Sequence, residues 1–181
     1  VAADTSLGEG LDVGDIDGDG DLDLLQGIQW LRNDGGTWTK FDVFPPTPPG
    51  QPDRVHLIDL NLDGRLDALV SYGHDRPYGS LSWYENPPVA TDPWTEHVID
   101  NPYNPQSLDF ADLDLDGDVD LVMGEHNRPD PALSELRIYE NVDGYGAAWR
   151  SRLIYTGDEH HLGARLLDIE HDGDLDIASI G

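Results

Sequence analysis

Four short acidic segments carry the main chemistry that this sequence offers. They begin at Asp15, Asp59, Asp112 and Asp168, and they read DIDGDGDLD, DLNLDGRLD, DLDLDGDVD and DIEHDGDLD. Each fits the pattern D-x-[D/N/E]-x-D-G-x-x-D, whose residues are called positions 1 to 9 below. Carboxylates this close together repel one another unless a cation neutralises them, and a hard divalent cation takes about six to eight oxygen ligands. The segments therefore predict cation-binding loops.

The spacing within each segment suits such a loop. Positions 1, 3 and 5 can turn toward a common point as the chain curls, and the glycine at position 6 permits a tight turn. The carbonyl of position 7 and the carboxylate of position 9 can complete the ligand set. Calcium accepts flexible carboxylate geometry, whereas magnesium demands a stricter octahedron, so calcium is favoured. We expect the apolar residues at position 8 to face the core: Leu22, Leu66, Val119 and Leu175.

The segments recur at spacings of 44, 53 and 56 residues, within the range typical of propellers and solenoids. Each lies between two short apolar strands, A and B, and two further strands, C and D, follow with aromatic residues. Nothing shows sustained helical periodicity. The pattern predicts an all-β chain of β-propeller blades, each made of four antiparallel strands. An asparagine ends each complete strand C and is expected to support the C–D turn: Asn33, Asn86 and Asn141.

The strand inventory gives three complete sets and a final A–B pair, or about three and a half blades. We expect a single β-propeller repeat region, 1–181, with repeats at approximately 8–50, 51–104 and 105–160 and a partial repeat at 161–181. Such an array leaves open sheet edges. A seven-bladed ring would close through self-association or through further blades of a longer chain, and the sequence leaves both routes open.

The loops, with their flanking strands, resemble the calcium sites of FG-GAP or VCBS-type β-propeller repeats. That family includes integrin α-subunit propellers and several secreted lectins and enzymes, and the resemblance covers nearly the whole chain. It implies up to four Ca²⁺ ions. The implied side-chain ligands are Asp15, Asp17, Asp19 and Asp23; Asp59, Asn61, Asp63 and Asp67; Asp112, Asp114, Asp116 and Asp120; and Asp168, Glu170, Asp172 and Asp176. The implied backbone ligands are Asp21, Arg65, Asp118 and Asp174.

Two loops depart from the family pattern. The second carries Asn61 and Arg65, so it has less negative charge and is expected to bind more weakly. The fourth carries Glu170, whose extra methylene group predicts indirect binding or a distorted ligand shell.

The connections opposite the acidic loops form a second candidate site. Long, varied loops on one face of a scaffold are where ligands usually bind. Two B–C loops share the motif H-[D/N]-R-P, and a D–A connection adds two histidines. The candidate ligand-binding residues are His74, Asp75, Arg76, His126, Asn127, Arg128, His160 and His161. Three interpretations stay open: stiffening of the loops, contact with a glycan or protein through planar polar groups, and acid–base catalysis or a histidine-based zinc site.

The five tryptophans recur at matching positions of strands C and D. This recurrence predicts packing between blades rather than exposed stacking on sugars. The residues are Trp30, Trp38, Trp83, Trp94 and Trp149.

Composition excludes several function classes. The formal net charge is −27, from 37 acidic and 10 basic residues, which opposes binding to nucleic-acid phosphates. The absence of cysteine excludes disulfides, thiolate zinc sites and thiol catalysis. No apolar run has the roughly 18 residues of a membrane span. Calcium sites of about millimolar affinity suit the extracellular medium, so we expect an extracellular or cell-surface location.

Three functions remain. The first is a calcium-binding propeller module that mediates adhesion or carbohydrate or protein binding. The second is a fragment of a secreted carbohydrate-active enzyme of the polysaccharide lyase or sugar dehydratase type. The third is a structural repeat of a surface or filament protein. The sequence has no nucleophile elbow, phosphate loop or zinc-protease helix motif, so we assign no catalytic residue and favour the first function.

Overall fold

The computed structural model describes residues 10–42, 52–73, 79–160 and 163–180. Within these ranges the protein forms fourteen β-strands and a single 3₁₀ turn at Pro131–Leu133. The strands lie in four antiparallel sheets of four, four, four and two strands. The prediction of an all-β chain is therefore confirmed.

Each sheet is a meander in which consecutive strands are neighbours. Sheet 1 contains β1 (Leu11–Gly14), β2 (Asp23–Gln26), β3 (Gln29–Asp34) and β4 (Thr37–Asp42). Sheet 2 contains β5 (Arg54–Ile58), β6 (Asp67–Tyr72), β7 (Ser80–Glu85) and β8 (Thr95–Asp100). Sheet 3 contains β9 (Pro105–Ala111), β10 (Asp120–Glu125), β11 (Glu135–Asn141) and β12 (Trp149–Thr156). Sheet 4 contains β13 (Gly163–Leu167) and β14 (Asp176–Ile180).

Consecutive sheets bury apolar faces against each other. The cluster between sheets 1 and 2 includes Leu25, Trp30, Val70 and Tyr84. A second cluster, between sheets 2 and 3, includes Leu60, Trp83, Leu121, Met123 and Tyr139. The cluster between sheets 3 and 4 is smaller and contains Val122, Leu136 and Ala164. Because apolar burial is the main stabilising term, each sheet depends on its neighbours.

Aspartates on the first strand of a sheet also bind the next sheet. Asp12 Oδ2 accepts a hydrogen bond from the backbone N–H of Leu57 at 2.8 Å. Asp109 Oδ2 accepts the N–H of Leu166 at 2.9 Å. These bonds run from β1 to β5 and from β9 to β13, so they fix the position of one sheet against the next.

The prediction of packed tryptophans is confirmed for most of the set. Trp30, Trp83 and Trp94 are buried, and Trp149 is partly buried against the second cluster. Trp83 Nε1 donates to the carbonyl of Gly146 at 3.0 Å and so joins sheet 2 to sheet 3. The prediction is wrong for Trp38 on β4, which is 38% exposed because it does not pack into the cluster between sheets 1 and 2.

The four sheets do not close into a ring within the part of the chain that the structure describes. Sheet 4 has two strands, and Leu11 and Val13 on β1 are 61% and 50% exposed. The seven-bladed ring therefore stays a prediction.

Candidate metal sites

The four A–B loops, here loops 1 to 4, share one backbone conformation. The glycine at position 6 has a positive φ in each: 95° at Gly20, 88° at Gly64, 98° at Gly117 and 100° at Gly173. Position 4 is also left-handed, with φ of 76° at Gly18, 60° at Leu62, 65° at Leu115 and 61° at His171. The sequence predicted the glycine turn but not this second residue. A left-handed conformation costs a non-glycine residue about 1–2 kcal/mol, so the tight curl is imposed on three of the loops.

The carboxylate at position 1 holds each loop closed. Asp15 accepts the backbone N–H groups of Asp19 at 3.1 Å and Gly20 at 3.0 Å. The same two bonds, from positions 5 and 6, reach Asp59, Asp112 and Asp168.

The carboxylates at positions 1, 3 and 5 converge in loops 1 and 3. One oxygen from each lies within 4.8 Å of the others in two triplets, and no further such group occurs among the described residues: Asp15, Asp17 and Asp19; Asp112, Asp114 and Asp116. Burial, followed by the charges of Asp19 and Asp23, raises the pKa of Asp17. A bound cation would offset the repulsion between Asp17 and the other two carboxylates.

Position 9 has a structural role that the sequence did not predict. Asp67 is fully buried, and its Oδ2 accepts the N–H of Leu60 at 3.1 Å while its Oδ1 accepts the N–H of Asn86 at 2.9 Å. Asp23 and Asp120 are also buried and make the equivalent two bonds. In loops 1, 2 and 3 this carboxylate therefore ties the start of the loop to the end of strand C, in addition to its predicted role as a ligand.

In loops 1 and 2 the residue at position 2 is a buried apolar anchor. Ile16 and Leu60, at position 2, are 2% and 0% exposed. At position 8, Leu66 packs against Gly14 on the preceding sheet, and Val119 packs against the second cluster, between sheets 2 and 3. The position 8 prediction is wrong for Leu22 and Leu175, which are 61% and 42% exposed. Leu22 has no preceding sheet among the described residues, and Leu175 directly precedes β14 of the two-stranded sheet.

Side chains at position 7 contact the C–D turn. Asp21 Oδ2 accepts the N–H of Gly35 at 3.0 Å, and Arg65 Nε donates to the carbonyl of Asn86 at 2.8 Å. The A–B and C–D turns therefore lie on one face. In loop 3 the side chain of Asp118 is buried, and burial together with the charge of Asp116 raises its pKa to about 6.

Half of the candidate residues on the opposite face can be placed. His74, Asp75, Arg76 and His161 lie outside the described residues. His126, Asn127 and His160 are 5%, 9% and 5% exposed, whereas Arg128 is exposed.

His126 is held between two connections. Its Nδ1 lies 2.9 Å from Gln106 Oε1, and Arg128 Nε donates to its Nε2 at 3.2 Å. This arrangement fits the neutral tautomer with the proton on Nδ1. The His126 N–H donates to the carbonyl of Asn104 at 3.0 Å, and Asn104 Nδ2 donates back to the His126 carbonyl at 2.6 Å. These bonds favour loop stiffening as the role of His126.

Glu125 is a buried acid that the sequence did not single out. It is 4% exposed, and it accepts the N–H groups of Tyr103 at 2.9 Å and Glu135 at 3.1 Å. Burial raises its pKa to about 7 despite these two bonds. The only signal in the sequence is an acidic residue directly after the apolar strand LVMG.

The raised pKa of Glu125 predicts a pH dependence of stability. Between about pH 4.5 and pH 7 the folded state keeps a proton that the unfolded state has lost, so the free energy of unfolding falls as pH rises through this window. In metal-free buffer we expect native protein to lose up to about 3 kcal/mol more than Glu125→Gln across this range. Urea unfolding at several pH values measures the difference. Glu140→Gln is the matched control, and parallel pH profiles for native protein and Glu125→Gln would contradict the assignment.

A cavity of about 610 Å³ opens beside these connections. Its lining includes Tyr155, Asp158, Glu159, His160 and Ser179. His160 Nδ1 lies 2.7 Å from Ser179 Oγ. The volume is in the range of small-molecule pockets, and the lining combines hydrogen-bonding groups with apolar side chains.

Comparison with known proteins gives no family assignment. No protein-family model matches the chain, and no curated protein matches it. The resemblance to FG-GAP or VCBS-type repeats remains a prediction from the loops and strands. Among the described residues, no helix has the length and apolar character needed to cross a membrane.

Proposed function

We propose that the chain is part of a calcium-stiffened β-propeller that acts outside the cell and binds a glycan or protein through the face opposite its acidic loops. The observation that carries the proposal is the convergence of three carboxylates in loops 1 and 3, within a backbone conformation that all four loops share. Repetition of one strained turn at four places indicates a common task for these loops.

The donors fit calcium. Loops 1 and 3 offer several carboxylate oxygens and no sulfur or imidazole ligand, which suits a hard cation and argues against zinc or copper. The residues at positions 1, 3 and 5 would hold the ion, together with the position 7 carbonyl and the position 9 carboxylate. When bound, the ion supplies positive charge that offsets the mutual repulsion of these groups. Loops 2 and 4 would bind more weakly because of Asn61 and Glu170.

Binding on the opposite face draws support from two features. Exposed Arg128 is steadied by its bond to His126, and the cavity beside His160 offers hydroxyl, carboxylate and imidazole groups to a ligand. Planar guanidinium groups bind sugar carboxylates and protein acids well. Because His126 is buried and bonded at both ring nitrogens, this face fits a rigid recognition surface better than an acid–base site.

Calorimetric titration of metal-free protein tests the calcium sites. We expect binding of Ca²⁺ at about millimolar or tighter affinity and much weaker binding of Mg²⁺. The double variant Asp19→Ala/Asp116→Ala removes position 5 from loops 1 and 3 and is expected to lose the two strongest sites. Asp92→Ala/Asp130→Ala removes two exposed acids outside the loops and is the matched control. Equal binding heats for the two double variants would contradict the proposal.

A glycan array with purified protein tests the opposite face. We expect Arg128→Ala to lower ligand binding at least tenfold while the melting temperature and the calcium titration stay unchanged. Arg150→Ala is the control, since Arg150 is an exposed arginine on β12 that pairs with Glu140 at 2.7 Å. If both variants bind as native protein does, Arg128 has no part in recognition.

A further inference from the structure

Asn86, which follows β7, contacts two of the acidic loops at once. It is fully buried. Its N–H donates to Asp67 Oδ1 at 2.9 Å, its Nδ2 donates to the carbonyl of Leu66 at 3.0 Å, and its own carbonyl accepts Arg65 Nε at 2.8 Å, so three bonds reach loop 2. The same Nδ2 donates to the carbonyl of Ile16 at 2.9 Å, in loop 1. One side chain therefore joins a loop of sheet 1 to a loop of sheet 2.

The bond to loop 1 reaches the segment that carries its ligands. Ile16 lies between Asp15 and Asp17, whose carboxylates belong to the loop 1 triplet. The Ile16 N–H donates to Asp23 Oδ2 at 3.2 Å within loop 1. Both polar backbone groups of Ile16 are thus fixed, one by loop 1 itself and the other by Asn86.

We propose that Asn86 couples loops 1 and 2, so that an ion in either loop raises the affinity of the other. The inference rests on the proposed calcium function. An ion in loop 1 orders Ile16, which then holds Asn86 and with it Asp67 in place before the weaker loop 2 binds. By thermodynamic linkage an ion in loop 2 has the same effect on loop 1. A single buried amide places the coupling at the low end of the usual range, at about fivefold.

Neighbouring sheets show why this link is specific. Asn33 and Asn141 also end their C strands, but their Oδ1 atoms accept N–H groups from glycines of the C–D turn, Gly36 at 2.8 Å and Gly146 at 3.0 Å. Asn33 Nδ2 donates to the carbonyl of Leu22 at 3.2 Å, in loop 1 of the same sheet. Asn141 Nδ2 has no hydrogen-bond partner among the described residues.

The C–D connection of sheet 2 differs because prolines follow Asn86. Pro87 and Pro88 have no N–H to donate, and no described residue donates to Asn86 Oδ1. The orientation of the Asn86 amide is therefore set by Nδ2, which donates to the carbonyls of both Leu66 and Ile16. Coupling is predicted for loops 1 and 2, while loop 3 is expected to bind independently.

A calcium titration followed by ¹H–¹⁵N NMR tests the coupling, because the amides of Gly20, Gly64 and Gly117 report loops 1, 2 and 3 separately. Asp19 is exposed and makes none of the Asn86 bonds, so Asp19→Ala disables loop 1 and leaves those bonds in place. Loop 1 is the stronger site and fills first, so we expect Asp19→Ala to weaken calcium binding at Gly64 about fivefold and to leave binding at Gly117 unchanged. In Asn86→Ala the effect of Asp19→Ala on Gly64 is expected to vanish, while Asn141→Ala should preserve it.

The outcomes separate this inference from the function on which it rests. An unchanged affinity at Gly64 in Asp19→Ala, with calcium still binding, overturns the coupling alone. An undiminished effect of Asp19→Ala in the Asn86→Ala background also overturns it. The absence of any calcium response at Gly20, Gly64 and Gly117 in native protein overturns the calcium function and the coupling together. If Asn86→Ala does not fold, the comparison of Gly64 with Gly117 in Asp19→Ala decides the question.

Discussion

Removal of calcium with a chelator is expected to lower the melting temperature of this protein by about 10 °C. A ligand at roughly ten times its dissociation constant stabilises the folded state by about 1.4 kcal/mol per site. For a chain of this size, 1 kcal/mol corresponds to about 2–4 °C. Two occupied sites in loops 1 and 3 therefore account for about 6–11 °C, and weaker binding in loops 2 and 4 adds to this. The physical cause is the repulsion among close carboxylates in a chain of net charge −27.

Thermal unfolding followed by circular dichroism measures the shift at constant ionic strength. Added KCl at matched ionic strength controls for simple screening of the surface charge. The Asp19→Ala/Asp116→Ala variant should respond less to chelation than native protein does. A melting curve that is the same with and without chelator would count against calcium as a stabilising ligand.

Truncation of Trp83 is expected to be the most damaging single substitution, because this side chain connects two sheets. Trp83 is 2% exposed, its ring stacks on His97 with centroids 4.2 Å apart, and its Nε1 donates to the carbonyl of Gly146 in the turn between β11 and β12. Loss of a buried tryptophan typically costs about 3–5 kcal/mol. We therefore expect Trp83→Ala to lower the free energy of unfolding by that amount, as measured by urea unfolding in calcium.

Trp38→Ala is the control for this prediction. Trp38 has the same side chain on an edge strand and is 38% exposed, so its loss is expected to cost less than about 1 kcal/mol. If the two variants lose similar free energy of unfolding, Trp83 does not stabilise the protein through its contact between the sheets.

The order of the strands was predictable because it depends on residues that are close together in the sequence. Short apolar runs, separated by turn residues and repeated with the same aromatic positions, predict four strands per unit, and the sheets follow that order. The loop conformation was partly predictable as well. A glycine such as Gly20 predicts a left-handed residue in the turn. A leucine such as Leu115 does not predict one, because its left-handed φ is imposed by the closure of the loop.

Contacts between distant segments were not predictable. His126 was expected to be available to a ligand, yet it is buried against Asn104, in a different connection, and Gln106, at the start of β9. Asn86 was expected to support its own turn, and its bond to Ile16 spans 70 residues. The sequence specifies which groups need partners, but only the packing of one sheet on another decides which partners they meet.

Hydrogen–deuterium exchange at the amides of Gly20 and Gly117 tests most directly whether ions hold the acidic turns rigid. Millimolar calcium is predicted to slow exchange at both sites by at least about tenfold, the equivalent of about 1.4 kcal/mol, while potassium at the same ionic strength leaves it unchanged. Equal exchange rates in calcium, in potassium and in chelator would contradict this account.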